Sequence, residues 1–317
     1  MPKSNHPHQP NRPDSEHQPE EASAFNIPII EAVDSQIVMH REAHFAGQFS
    51  DMLEYYMQGG KGVCADFELK RIQELADIEV RLKENLAGVL LSAADADKIA
   101  AARQMYQDLR EICEVKNPRN KYPRFIAELI LAEEEFPEKE IQAIMAEKSA
   151  IVPDLIALLR SEEMYDPLFP GYGLAPQLVA QCLGLIGDKR AVIALFEILG
   201  DDDFFFEEGT LRALKAVGEP AKNFLLMVVK GRPYNQDNVT AALALLQFKE
   251  LPEVALACFA LLQLPEVQAN LPLATYLVLA CEGLLSAAER QAFLSLSATM
   301  KGMLRRDMEA IAHIWKE

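Results

Sequence analysis

The sequence predicts an all-α chain: an α-solenoid of helical hairpins, preceded by an irregular helical region and a disordered N-terminal tail. Three observations predict it. Apolar residues recur at helical spacing once the first two dozen residues are passed, the mark of helices that bury one face. The stretches "LIGDKRAV" at Leu185 and "AVGEPAKN" at Ala216 repeat one pattern 31 residues apart, and a weaker copy, "QFKELPEV", follows in phase at Gln247. Glycine and proline punctuate these copies: Gly187 suits a left-handed helix cap, as does Gly218, while Pro220 and Pro252 fall where a new helix begins.

Residues 1–25 are rich in Pro, His, Gln, Asn and Glu and hold no apolar run, which predicts a flexible tail without a conventional secretory signal. The tail carries His6, His8 and His17, and a His-rich tract binds metal weakly at most. Residues 26–149 read as irregular helical structure without a fixed period, with helices over about 35–46, 49–58, 66–91, 95–115, 124–134 and 138–148. The turns "GGKG" at 59–62 and "KNPRNKYP" at 116–123 separate some of them. Residues 150–317 are two-helix units: "AVIALFEILG" then "TLRALKAVG", and "AKNFLLMVVKG" then "VTAALALLQF". A unit this short cannot bury its own apolar face, so successive units must stack. The last segment, ending at Trp315 and carrying Lys301, Arg305 and Arg306, is polar enough to cap the stack.

The unit "AVIALFEILGDDD" plus "TLRALKAVGE" resembles a HEAT repeat of the short bacterial type, the PBS lyase HEAT-like repeat. The resemblance is good over two units, residues 150–219, weakens over the next two, and does not reach the N-terminal half. It implies a protein-binding scaffold. Some relatives attach or remove bilins, and a related architecture serves some DNA glycosylases, so the repeat leaves chemistry open.

Charge narrows the partners. There are 48 acidic against 31 basic residues, a formal net charge of -17, which repels phosphate backbones and anionic membranes. Nucleic acid is therefore excluded as a general partner, and a protein with a basic or amphipathic segment is favoured. No apolar run reaches the roughly 18 to 20 residues that span a bilayer, so no membrane insertion is expected. The five cysteines, Cys64, Cys113, Cys182, Cys258 and Cys281, are scattered without metal-ligand spacing and read as buried thiols in the cytoplasm.

Candidate chemistry is sparse. "HREAH" places His40 and His44 four residues apart on one helix face, where they could share a metal. It lacks the zincin order, because Glu42 sits about 200° around the helix from His40. "GGKG" is not a phosphate loop, since Lys61 is followed by Gly62 and not by Ser or Thr. The acidic run Glu133, Glu134, Glu135 reads as a solvated face. The only histidine of the repeat half is His313, so no serine or cysteine there has a base in view. The reading is non-enzymatic and calls for no cofactor.

One connection departs from the repeat. "LIALLRSEE" at Leu155 aligns with "LFEILGDDD" at Leu195, an offset of 40, whereas "CLGLIGD" at Cys182 aligns with "ALKAVGE" at Ala213, an offset of 31. The nine-residue difference is an insertion at 165–173, "YDPLFPGYG". Stacking would set it beside 201–208, gathering Tyr165, Phe169, Tyr172, Phe204, Phe205 and Phe206 with Glu162, Glu163, Asp166, Asp201, Asp202 and Asp203. Aromatic area ringed by carboxylates suits Lys- or Arg-rich segments, so this edge is the expected partner site. The competing reading makes the same residues a lid on the core and caps for a helix N-terminus. Two other functions stay open: a lyase-like or metal-dependent enzyme subunit holding a small ligand between the helical regions, and an exported bacterial effector.

Overall fold

A computed structural model describes residues 31–59, 67–116, 119–134, 136–200 and 204–315, and the side chains of 204–206 are outside the description. The tail at 1–25, most of "GGKG", Cys64 and Asp201 to Asp203 therefore lie outside the described residues. Among the described residues every regular element is helical, as the apolar spacing predicts. No helix among them is long and apolar enough to cross a membrane.

Seven helices come first: α1 (Ala32–His44), α2 (Phe49–Met57), α3 (Leu69–Leu82), α4 (Leu86–Leu90), α5 (Ala93–Glu114), α6 (Tyr122–Leu131) and α7 (Glu138–Ala146). The single helix expected over 66–91 is two helices. Lys83 turns left-handed at φ 54° and ends α3, and the Asn85 side chain accepts from the Ala87 N–H to start α4. Helices α1 to α4 enclose their own small core, with Ile37, Met52, Ile72 and Leu75 buried together. Polar contacts fix how α1 meets α3. Buried Asp34 takes two bonds from the Arg71 guanidinium, at 2.8 and 2.7 Å. Fully buried Arg41 reaches Glu79 at 2.5 Å and the Asn85 side chain at 2.7 Å, with its guanidinium 4.4 Å from the Phe49 ring centre. A charge so placed is tolerable only because carboxylate and amide partners replace its water.

Eleven helices follow: α8 (Val152–Leu159), α9 (Ala175–Ile186), α10 (Ala191–Glu197), α11 (Phe204–Val217), α12 (Glu219–Lys230), α13 (Gln236–Leu245), α14 (Pro252–Leu262), α15 (Pro265–Ala269), α16 (Leu271–Ala280), α17 (Ala287–Ser297) and α18 (Gly302–Ile314). Along one side α8 meets α10, α10 meets α12, and α12 meets α14; along the other α9 meets α11, α13 meets α16, and α16 meets α18. One continuous apolar core runs through all of them and extends back to Leu129 and Ile130 of α6, upstream of residue 150. Most of the punctuation works as the chemistry requires, but Gly218, at φ 79° and ψ -131°, is not the left-handed cap expected of it. Gly187 caps α9 at φ 69°, and Pro220 and Pro252 occupy first turns of α12 and α14. Buried Asn238 donates to the carbonyls of Val228 and Gly231 at 2.8 and 2.9 Å, pinning the turn between α12 and α13.

Charged ties recur at the repeat interval. Lys222 bridges Glu219 and, 31 residues on, Glu253 at 2.8 Å, and Lys249 reaches Glu282, 33 residues on, at 2.7 Å. The closest approach is apolar. A Cβ added to buried Gly184 of α9 would lie 2.7 Å from the Ala213 Cα of α11, inside any real contact distance. Gly184→Val should therefore lower stability by about 1–3 kcal/mol, through overpacking at this crossing. Urea unfolding followed by circular dichroism checks it, and an unchanged midpoint would contradict the close approach.

Candidate functional site

The nine inserted residues fold into consecutive tight turns. The Phe169 N–H donates to the Asp166 carbonyl, Tyr172 to Phe169, and Leu174 to Gly171, each at 2.9 to 3.0 Å. The two ends of the loop touch: a Cβ at Gly173 (φ 77°) would meet the Tyr165 carbonyl oxygen at 2.9 Å. Only glycine closes the loop there.

The loop faces inward, toward the N-terminal helices. Leu168 and Phe169 are buried with Met39 of α1 and with Ile99 and Ala102 of α5. Asp166 pairs with Lys98 of α5, and its other oxygen accepts from the Leu168 N–H at 2.9 Å. The Tyr165 hydroxyl donates to the Leu159 carbonyl at 2.6 Å. Phe169, expected on an exposed partner edge, is thus 5% exposed and belongs to a joint. Of the expected edge, Glu162 and Glu163 are exposed, with Glu163 accepting from Ser161 at 2.8 Å. The predicted neighbours Asp201 to Asp203, and the side chains of Phe204 to Phe206, lie outside the described residues.

The inserted loop meets the "HREAH" helix. His40 and His44 stand with ring centres 5.3 Å apart; His40 is 6% exposed and lies edge-on to Phe67 at 4.9 Å. His44 lies 5.1 Å from the Tyr172 ring and 5.4 Å from Tyr106, and its Nε2 is buried without a hydrogen-bond partner. Burial first, and then the neighbouring His44, pushes His40 down to about 3. Burial also pushes His44 down to about 4, against an opposing backbone contact from Leu168. Both rings are neutral at pH 7. The residues between them point elsewhere: Glu42 accepts from Arg41 at 2.6 Å, away from the histidine face as its spacing predicts. Among the described residues no group of three or more His, Cys, Asp or Glu is arranged to hold a metal.

Two cavities flank the histidine pair. One, of about 570 Å³, has His40, Lys98, Asp166 and Glu162 in its wall. The other, of about 740 Å³, lies beside His44 and Tyr172. There Tyr55 of α2, Tyr172 of the loop and Tyr106 of α5 bring their hydroxyls into polar contact, and Tyr106 donates to Glu133 at 2.5 Å. Burial, reinforced by the neighbouring Tyr172 and Glu133, holds the Tyr106 hydroxyl well above its ordinary range. Glu133 is therefore half-buried and engaged, where the acidic run read as a solvated face. Tyr106 and Glu133 gave no sequence signal, because 27 residues, with the whole of α6 among them, separate them.

Among the described residues the four cysteines are free thiols. Cys182 and Cys258 are buried, which pushes both thiols up to about 12, while Cys113 is only half-buried.

The histidines set a pH dependence. Their unfolded-state values near 6.5 exceed the folded values of about 3 and about 4, so the unfolded chain binds more protons between those limits. Stability must fall as pH drops below about 6.5, and each contribution, on the order of a few kcal/mol, levels off below its folded value. Urea midpoints at pH 7 and pH 5 check this: wild type should lose stability at pH 5, and a His40→Gln/His44→Asn variant should lose less. Equal losses would contradict burial of neutral rings. Comparison with protein-family models and with characterised proteins finds no match for this chain.

Proposed function

We propose that the chain is a non-enzymatic scaffold of the cytoplasm, an α-solenoid of HEAT-like hairpins that holds a protein with a basic or amphipathic segment. The observation that carries this reading is the outward face of α10, α12 and α14. Ile193, Met227 and Leu256 stand exposed there on three adjacent helices, at 52%, 63% and 41%. A surface helix ordinarily places polar side chains on that face. Single exposed apolar residues are ordinary, and these three, on helices that touch in turn, are the apolar area that an amphipathic segment would cover. The formal charge of -17 adds long-range attraction for basic segments.

Packing of the inserted loop changes which residues belong to the partner surface. Tyr165, Phe169 and Tyr172 are spent on the joint, so Glu162 and Glu163 supply the carboxylates of that edge and the three exposed apolar residues supply area. Deleting 165–173 would open the joint and blur loss of binding with loss of structure.

A triple Ile193→Asp, Met227→Asp, Leu256→Asp variant avoids that difficulty, because each side chain already faces solvent. The probe is a synthetic lysine- and leucine-based amphipathic helical peptide, with a glutamate-based counterpart as control. Wild type should bind the basic peptide and not the acidic one, and the triple variant should bind at least tenfold more weakly with an unchanged melting curve. Equal binding of both peptides, or undiminished binding by the variant, would refute the proposal.

A further inference from the structure

Helix α1 has two working faces. Ile37, Val38 and Arg41 turn toward the core of α1 to α4, whereas Met39, His40, Ala43 and His44, at i, i+1, i+4 and i+5, turn toward the joint. Ile99 and Ala102 of α5 cover Met39 together with Leu168 and Phe169 of the inserted loop, and Tyr106 and Tyr172 cover His44. Both covering elements belong with the repeats, because Met105 and Leu109 of α5 and Tyr165 of the loop pack against the large core. The chain passes from the small core to α5 through Leu91 and Ser92, an extended pair between α4 and α5. Two extended residues between helices are where a rotation of one core against the other is absorbed.

While the joint is closed, neither ring can hold a proton. Among the described residues no carboxylate pairs with His40 or His44, and the charged groups around them are committed or of the wrong sign. From α5, Lys98 faces His40, and Arg103 and Arg110 line the cleft of about 740 Å³ with His44. Asp166 of the loop pairs with Lys98, and Glu133 accepts from Tyr106. On the side of α1 itself, Glu42 accepts from Arg41, and Asp51 of α2 is bonded to Ser50. Glu162, in the wall of the other cavity, is exposed to solvent. His44 Nε2 is buried without a partner, so a proton added there is a charge cut off from water. Burial accordingly holds His40 at about 3 and His44 at about 4.

We propose that the joint is an acid-opened latch: protonation of His40 and His44 releases α1 to α4 from α5 and the inserted loop, about a hinge at Leu91 and Ser92, before either core unfolds. Opening gives each ring the water that the closed joint denies it. Lys98 and Asp166 both stay on the repeat side, as do Tyr106 and Glu133, so those pairs survive and the two imidazoles carry the proton uptake. With open-state values near 6.5, each ring multiplies the opening equilibrium by about 8 between pH 7 and pH 5.5, and the pair by about 70. The surface uncovered is apolar, since Met39, Ile99, Leu168 and Phe169 lose their cover together. Acid thus presents a contact face that the neutral form hides.

Thiol trapping on the full chain reads the opening. Ala102, fully buried in the joint, is replaced (Ala102→Cys), and native Cys258, buried in α14, reports unfolding of the repeats in the same sample. Alkylation by iodoacetamide is located by peptide mass spectrometry, with rates corrected for the thiolate fraction of a free cysteine peptide. Labelling at position 102 should rise about 70-fold from pH 7 to pH 5.5 and should exceed labelling of Cys258 at both. On the same background His40→Gln or His44→Asn should each leave a rise of about 8-fold, and the double variant none. Each ratio is taken within one variant, so a uniform loss of stability cancels. A rise of less than about tenfold without the histidine substitutions, equal rates at position 102 and Cys258, or an undiminished rise in the double variant would overturn the proposal.

Discussion

Leu168 and Phe169 enter an apolar cluster with Met39, Ile99 and Ala102, and everything that distinguishes this chain from a plain row of helical hairpins depends on that contact. The N-terminal helices α1 to α4 have their own core, and the helices from α6 onward have another. The inserted loop lies between them. Its two apolar side chains fill the gap, and the pairing of Asp166 with Lys98 orients them. Burying a leucine and a phenylalanine contributes on the order of 3–6 kcal/mol before conformational entropy is subtracted. That is comparable to the net stability of a whole domain.

The joint also creates the polar surroundings of the histidine pair. His40 and His44 sit on the face of α1 that the loop covers, so the same closure that buries Phe169 also strips water from the imidazoles. Tyr172 reaches His44, Tyr55 and Tyr106 because the backbone turns left-handed at three successive residues, Gly171, Tyr172 and Gly173. The exposed apolar residues of α10, α12 and α14 and the cleft thus lie in separate parts of the molecule. Ile193, Met227 and Leu256 stand on α10, α12 and α14, whereas the cleft lies where α1, α2, α5 and the loop meet.

The helical class was legible from apolar spacing, and helix boundaries were legible from Gly187, Pro220 and Pro252, because caps and first turns are local chemistry. The insertion was legible too, as a nine-residue break in register. Its destination was not. A repeat comparison places a loop along the edge of its own stack, and it carries no information about a second core elsewhere in the chain. Hence Phe169 read as exposed when it is buried. Glu133 misled for the same reason: three consecutive glutamates look solvated until Tyr106, from another helix, claims the first of them. The break of α3 at Lys83 was missed because a left-handed lysine has no sequence signature, unlike a left-handed glycine.

Amide hydrogen exchange on wild type and on Phe169→Ala tests the joint most directly. Loss of this one ring should reduce protection in α1, α5 and the loop while leaving α11 to α16 as in wild type. Unchanged protection in α1 and α5, or a loss spread evenly over every helix, would contradict the claim that the inserted loop holds the two cores together.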